Sequence, residues 1–114
     1  QRLARRLCKD CKVEDRPPDQ VLIDAGFRED NLPEMVYKPG GCPKCGGTGY
    51  RGRMGVHEVM MVSEEIAKLT VEEATADDIK RVAVKQGMLT LRRDGMEKVR
   101  LGMTTLEEVL RVVV

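Results

Sequence analysis

Cys8-Lys9-Asp10-Cys11 and Cys42-Pro43-Lys44-Cys45 are the two stretches that decide how the first part of this chain folds. In each C-x-x-C pair the two thiols lie on a tight turn and can occupy two corners of a tetrahedron. Two such pairs make a four-sulfur cage, the ligand set of structural zinc, with Zn–S distances of about 2.3 Å. Gly46-Gly47 lets the backbone fold back and direct N–H groups at the thiolates. The pattern predicts one structural metal ion, with four ligands: Cys8, Cys11, Cys42 and Cys45.

Other functions of these cysteines fit the pattern less well. A disulfide scaffold is typical of secreted chains, whereas here the thiols form two local pairs and no signal peptide is evident. A redox C-x-x-C usually stands alone on a strand-to-helix turn. A rubredoxin-type iron centre uses the same four sulfurs, so zinc and another thiophilic metal both stay open. Because four thiolates leave no position for water, the ion is expected to stabilise the fold and not to catalyse.

Length and charge exclude several classes of function. The chain has 114 residues, enough for one modest core or two very small ones. Lys and Arg number 20 against 19 acidic residues, and aromatic residues make up 3% without any Trp, which argues against a nucleic-acid binder. No apolar run approaches the roughly 20 residues of a membrane span. Paired free cysteines without a targeting segment indicate the cytoplasm.

The predicted fold class is α+β, with a tetracysteine subdomain at residues 1–62 and a compact helical subdomain at residues 63–114. The first is expected to contain helices and strands in this order: a leading helix at Arg2–Leu7, a helix at Asp19–Ala25, a short strand at Met35–Lys38 and a main strand at Met54–Val62. In the second, Ser63, Thr75 and Thr105 are predicted N-caps, and Thr90 begins a further helix. The short connections predict a small bundle.

Few other residues predict a site. Gly46–Arg53 is rich in glycine, but no Lys-Ser or Lys-Thr follows, so it is not a phosphate-binding loop. His57 is expected to be a half-exposed strand residue. Glu58, in an apolar context, is expected to pair with Arg51 or Arg53. No catalytic residue is predicted.

Three motifs together resemble one protein family. Gln1-Arg2-Leu3 leads into Cys-x-x-Cys; then comes Cys-x-x-Cys-x-Gly-x-Gly-Tyr-x-Gly-Arg-x-Gly-x-x-Glu. Gly87-Met88-x-Thr90-Leu91 and Gly102-x-Thr104-Thr105 follow in order. This order is similar to the C-terminal region of the type II secretion and type IV pilus assembly ATPases, the GspE/PulE/PilB group. His57 and Met54 depart from residues common there, but neither lies in the cysteine motif.

The resemblance implies a cytoplasmic hexameric ATPase that docks at the inner membrane and drives pilus assembly or secretion. Its nucleotide-binding elements, and with them ATP and Mg, would lie upstream of Gln1, so this fragment alone is expected not to be an enzyme. Gln1–Leu7 would be the end of the last helix of the motor domain. The implied partners are the chain's own motor domain, neighbouring subunits of the hexamer and an inner-membrane platform protein, without nucleic acid.

Two other classes of protein stay open at this point. The chain could be a free-standing zinc-ribbon nucleic-acid binder, or a chaperone-like zinc module, because Cys42–Gly49 fits C-x-x-C-x-G-x-G once. The motifs do not distinguish pilus assembly, protein secretion and DNA uptake.

Overall fold

The computed structural model describes residues 1–113. The chain forms two compact units. The first consists of Gln1–His57 and the segment that begins at Leu91, and the second is Glu58–Thr90. These units do not coincide with the predicted subdomains at residues 1–62 and 63–114, because the last two helices belong with the cysteine-rich part. The predicted α+β class is confirmed.

The main sheet of the first unit is an antiparallel ribbon of β1 (Arg2–Leu7) and β4 (Tyr50–Val56). Ala4 lies opposite Met54, and both are buried together with Val56. Residues from the last two helices and the loop between them, including Leu91 and Met103, cover this face. The buried side of the ribbon therefore holds it against the helical end of the chain.

The predicted helix over Arg2–Leu7 is wrong, because this segment is β1. A helix would place Leu3 and Leu7 on one face, but Leu3 is 52% exposed and Leu7 is buried. A six-residue helix is too short to be stable by itself, whereas pairing with β4 supplies a partner for the backbone.

Only residues 54–56 of the predicted strand over Met54–Val62 are in a strand. β4 begins at Tyr50 and ends at Val56, and the backbone N–H of His57 donates to Asp94 Oδ2 at 2.8 Å. Beyond this point the apolar residues are exposed, with Met61 at 79%. The apolar run therefore marks the end of the strand and the start of the second unit.

A smaller ribbon and one helix complete the cysteine-rich part. β2 (Val13–Glu14) pairs antiparallel with β3 (Tyr37–Lys38), so only the last two residues of the predicted strand at Met35–Lys38 are in a strand. α1 (Asp19–Ala25) has the predicted bounds. The core here consists of Leu22, Phe27, Val36, Met96, Val99 and Val109.

Four helices follow, and their predicted starts are confirmed. α2 (Glu64–Val71) and α3 (Ala76–Lys85) lie in the second unit, and α4 (Leu91–Arg100) and α5 (Leu106–Val112) in the first. The hydroxyl oxygens of Ser63, Thr75 and Thr105 accept backbone hydrogen bonds at 3.2, 3.2 and 3.1 Å. The helices thus belong to two units, whereas the short connections predict one bundle.

α2 and α3 pack against each other in the second unit. Ile66 and Ala83 are buried there. The Gln86 side chain joins the two helices, because its oxygen accepts from Ser63 at 2.9 Å and its nitrogen donates to Glu65 at 3.1 Å. Among residues 1–113 no helix has the length and apolar character needed to cross a membrane.

Candidate metal centre

Each cysteine pair lies on a tight turn next to a strand of the main ribbon. Cys8 directly follows β1, and its carbonyl accepts from the N–H groups of Cys11 and Lys12 at 3.4 and 3.1 Å. Cys42 precedes a single 3-10 turn, Pro43–Cys45, and its carbonyl accepts from Cys45 N–H at 3.3 Å. The two turns are joined where Cys8 N–H donates to the carbonyl of Gly49 at 2.9 Å.

The four Sγ atoms form a compact cluster. The Sγ–Sγ distances are 3.7 Å for Cys8–Cys42, 3.8 Å for Cys11–Cys45 and 3.7 Å for Cys42–Cys45, and all four atoms lie within 4.8 Å of one another. Four sulfurs about 2.3 Å from a central zinc, in a tetrahedron, would be separated by about 3.8 Å. The spacing of the donor atoms therefore fits one tetrahedral thiophilic ion.

Backbone N–H groups stabilise negative charge on the sulfur of Cys45. Its Sγ accepts from Cys42 N at 3.3 Å and from Gly49 N at 3.1 Å. Burial alone would raise the pKa of this thiol, but the two backbone donors and neighbouring thiols lower it to about 6. Burial and the Cys42 thiol raise the pKa of Cys11 to about 12. The backbone donors thus favour the thiolate form of Cys45, whereas burial disfavours the thiolate form of Cys11.

Gly49 is required by the close approach of two chain segments. Its φ is +81°, and a Cβ there would lie 2.1 Å from Cβ of Pro39. A larger residue would move the N–H that points at Cys45 Sγ.

Lys12 connects the first cysteine turn to the end of α4. Its Nζ donates to the carbonyl of Gly102 at 3.1 Å and lies 4.3 Å from the centroid of the Tyr37 ring. A cation at the carboxyl end of a helix also interacts favourably with the helix dipole. The position of this turn is therefore coupled to the packing of α4.

A second cluster, which the sequence analysis missed, surrounds Glu108 on α5. Glu108 is 2% exposed. Its two oxygens accept from Arg5 N, Nε and Nη2 at 2.9, 3.0 and 2.7 Å. They also accept from Arg111 Nε and Nη2 at 3.3 and 2.8 Å. Burial alone would raise the pKa of Glu108, but the hydrogen bonds from both arginines lower it to about 2.

Neighbouring groups extend the Glu108 cluster to the strands. The Arg5 guanidinium lies 4.2 Å from the centroid of the Tyr50 ring, and the Tyr50 hydroxyl is 3.0 Å from Thr105 Oγ1. Thr104 Oγ1 donates to the carbonyl of Arg5 at 2.8 Å. The sequence predicts Thr105 as a helix cap, but nothing in it indicates that the Glu108 carboxylate reaches β1.

The remaining predicted site residues lie apart from the cysteines. Glu58 forms an ion pair with Lys80, with Oε1 and Nζ 3.7 Å apart. Arg51 and Arg53 are exposed residues of β4. The predicted pair of Glu58 with either arginine stays a prediction. The His57 ring lies beside Gly55, where a Cβ would be 2.5 Å from Nε2 of the ring.

Comparison with known proteins places the chain in a family. The profile of the type II/IV secretion system proteins matches residues 1–111. This chain belongs to that family. The resemblance to the secretion and pilus assembly ATPases is therefore confirmed.

The relatives of this family member include pilus and secretion ATPases. The type IV pilus assembly ATPase PilB of Thermus thermophilus is 47% identical over 96% of this chain and 12% of its own length. The type IV pilus assembly ATPase PilB of Acinetobacter baylyi is 43% identical, over 98% of this chain and 20% of its own. The type II secretion system ATPase E of Vibrio cholerae is 40% identical, over 98% of this chain and 22% of its own length. The chain thus spans about an eighth to a fifth of these relatives.

Proposed function

We propose that this chain is the C-terminal, zinc-stabilised module of a hexameric secretion or type IV pilus assembly ATPase. One observation carries the proposal. The segment that matches the family over residues 1–111 also brings four sulfurs to the spacing of a tetrahedral metal site. The relatives named above are ATPases of pilus assembly and of type II secretion.

Cys8, Cys11, Cys42 and Cys45 would hold one zinc ion. When bound, zinc supplies positive charge that balances the thiolates, and a shell of four sulfurs leaves no position for a substrate. The N–H groups of Cys42 and Gly49 orient and stabilise the sulfur of Cys45. The role of the site is to fix the two turns, and through them the ends of β1 and β4.

The fragment itself would not hydrolyse ATP. The nucleotide and Mg sites would belong to the parent protein, because the chain corresponds to only 12 to 22% of the length of these relatives. The proposed partners are the parent's own motor domain, neighbouring subunits and a platform protein at the inner membrane. The parent would then be a cytoplasmic protein held at the membrane periphery by its complex.

The metal is tested first by elemental analysis of the purified chain, with titration of thiols before and after chelation. One zinc per chain, and four thiols that react only after chelation, are expected from the four-cysteine site. Four freely reacting thiols without metal would contradict the site. Iron in place of zinc would keep the structural role and change the identity of the ion.

The biological role is tested in the parent gene. Cys42→Ser is expected to abolish pilus assembly or secretion, because the module loses its metal-dependent structure. Lys44→Ser is the matched control, since Lys44 lies in the same turn and is 66% exposed. The proposal fails if Cys42→Ser removes the metal and leaves both processes intact. Equal loss in both variants would also contradict it.

A further inference from the structure

The exposed side of the β1–β4 ribbon concentrates positive charge. Arg5 and Arg53 are direct cross-strand partners in the register, an arrangement of like charges that destabilises a sheet. Arg111 of α5 joins them, and with Leu3 and Tyr50 these residues line an open depression of about 690 Å³. We call Leu3, Arg5, Arg53 and Arg111 the arginine face.

Glu108 orients the arginine face without neutralising it. The single Glu108 carboxylate forms ion pairs with two guanidinium groups, those of Arg5 and Arg111, and these side chains remain 51% and 58% exposed. Each guanidinium has five N–H donors, and on each arginine only Nε and Nη2 donate to Glu108. Arg53 adds a third charge. Three arginines and one buried carboxylate leave a preorganised surface for acidic groups.

The chain carries its own surface of opposite charge. Glu58–Thr90 contains seven acidic and four basic residues, a net charge of −3, whereas the rest of the chain has 16 basic and 12 acidic residues, +4. Residues 71–78, which comprise the turn between α2 and α3 with the adjoining ends of both helices, contain Glu72, Glu73, Asp77 and Asp78 without any Lys or Arg. We call residues 71–78 the acidic turn.

The acidic turn also offers an apolar contact. Val71 is 83% exposed, and Leu3 on the arginine face is 52% exposed. Two flanking cations only partly compensate the turn, because Lys68 and Arg81 contact Glu72 and Asp78 at 4.0 and 3.7 Å in exposed pairs. Each surface thus combines one exposed aliphatic residue with uncompensated charge of opposite sign.

We propose that the arginine face of one copy binds the acidic turn of a second copy. Carboxylates of the acidic turn would accept hydrogen bonds from the free N–H groups of Arg5, Arg53 and Arg111. Their negative charge would relieve the repulsion between Arg5 and Arg53, while Val71 covers Leu3. Because the two surfaces differ, the contact is heterologous and each copy uses one of each, the arrangement that builds rings or filaments. The inference rests on the neighbouring subunits of the proposed function and names the surfaces by which they meet.

The test uses the metal-loaded chain in sedimentation velocity across a concentration series up to about 1 mM, at low ionic strength and at about 0.5 M salt. Arg53→Glu and Glu73→Lys each reverse one charge. Arg51→Glu is the matched control for the first, because Arg51 lies two residues away on β4 and lines a different depression, beside Cys8 and Lys12. Glu29→Lys, at an exposed position of the first unit, is the control for the second.

Salt-sensitive association of the unmodified chain is expected, weakened about tenfold or more by Arg53→Glu or Glu73→Lys and less than about twofold by either control. Mixing the Arg53→Glu and Glu73→Lys variants should give a 1:1 complex and nothing larger, because each retains one intact surface. The double variant should associate again, since the reversed charges match. Metal content and thermal unfolding confirm that each variant is folded.

Three outcomes would overturn the proposal. The first is no association of the unmodified chain at about 1 mM. The second is an equal loss of association in Arg51→Glu and Arg53→Glu, and the third is failure of the mixed Arg53→Glu and Glu73→Lys variants to form a complex. Binding to anionic lipid vesicles that needs Arg53, without self-association, would assign the face to a membrane instead. None of these assays needs nucleotide or a platform protein, so their failure leaves the metal and pilus assays of the proposed function standing.

Discussion

The β1–β4 ribbon is held at two places by two different chemistries. At its end, Cys8 follows β1, the turn with Cys45 precedes β4, and the four Sγ atoms lie within 4.8 Å of one another. In its middle, Glu108 reaches from α5 to the backbone and side chain of Arg5. The cysteine cluster could hold one added cation, whereas the Glu108 cluster already contains both signs of charge. Chelation should therefore act on the cysteine cluster alone, whereas comparison of the unmodified chain with Glu108→Gln isolates the contribution of the Glu108 cluster.

The largest effect is expected for Cys45→Ser. The variant loses one of four ligands and the sulfur that two backbone N–H groups stabilise. Structural zinc contributes about 10 to 16 kcal/mol in small zinc-finger peptides, and a typical domain has a stability of about 5 to 15 kcal/mol. We expect loss of the metal and unfolding of the cysteine-rich part. Circular dichroism and metal analysis of the same sample test this.

Chelation of the unmodified chain is the companion experiment, because it removes the ion and leaves the sequence unchanged. It should reproduce the unfolding of Cys45→Ser, and added zinc should reverse it. A Cys45→Ser variant that kept its metal and its thermal midpoint would contradict the role given to this cluster.

The cysteine cluster was predictable because its information is local. C-x-x-C spacing and the following glycines define each turn within a few residues, and the structure brings all four sulfurs together. The same is true of the Ser63, Thr75 and Thr105 caps, where the side chain meets an N–H three residues later. Local motifs need no knowledge of the rest of the fold.

The Glu108 cluster and β1 were not predictable, because both depend on distant partners. Arg5 and Glu108 are 103 residues apart, and β1 pairs with a strand that begins at Tyr50. Leu3 and Leu7 favour a helix when the segment is read alone. Pairing with β4 and burial of Ala4 override that preference.

Glu108→Gln should give the second-largest effect. The amide keeps the size of the side chain but removes the charge, so Arg5 and Arg111 lose their shared counterion. Hydrogen bonds to a charged group contribute about 1.5 to 3 kcal/mol, and solvent screening reduces this value here because the Arg5 and Arg111 side chains are 51% and 58% exposed. A lower urea midpoint with unchanged metal content is expected. Glu107→Gln is the control, because Glu107 is the exposed neighbour on α5 and should change little.

Acid should weaken the Glu108 cluster through its carboxylate. The pKa of Glu108 is about 2 in the folded chain, below the ordinary value of 4.5 for a glutamate, because burial, which would raise it, is outweighed by the hydrogen bonds from both arginines to its carboxylate. A lowered folded pKa contributes stability that is fully present above about 4.5 and is lost as the pH falls toward about 2. The stability difference between the unmodified chain and Glu108→Gln should therefore shrink in that window, by at most about 1.4 kcal/mol per pH unit.

Metal release in acid affects both chains, so only their difference reports on Glu108. Urea unfolding of the two proteins at a series of pH values measures this difference. A stability difference between the two proteins that stays constant from neutral pH to about pH 3 would show that the two arginines do not hold the Glu108 carboxylate ionised.

Tyr50→Phe should have the smallest effect and shows whether the two clusters act separately. Tyr50 begins β4 just after the cysteine turn, and its hydroxyl contacts Thr105 at the start of α5. The phenylalanine ring keeps the stacking with Arg5 and loses one hydrogen bond, a change of about 0.5 to 1.5 kcal/mol. We expect a small decrease in the urea midpoint and an unchanged affinity for zinc in competition with a chelator.

Tyr37→Phe, which keeps its ring beside Lys12, is the control. A fall in zinc affinity on Tyr50→Phe alone would mean that the ribbon transmits strain from the Glu108 cluster to the cysteines, because no ligand of the metal has changed.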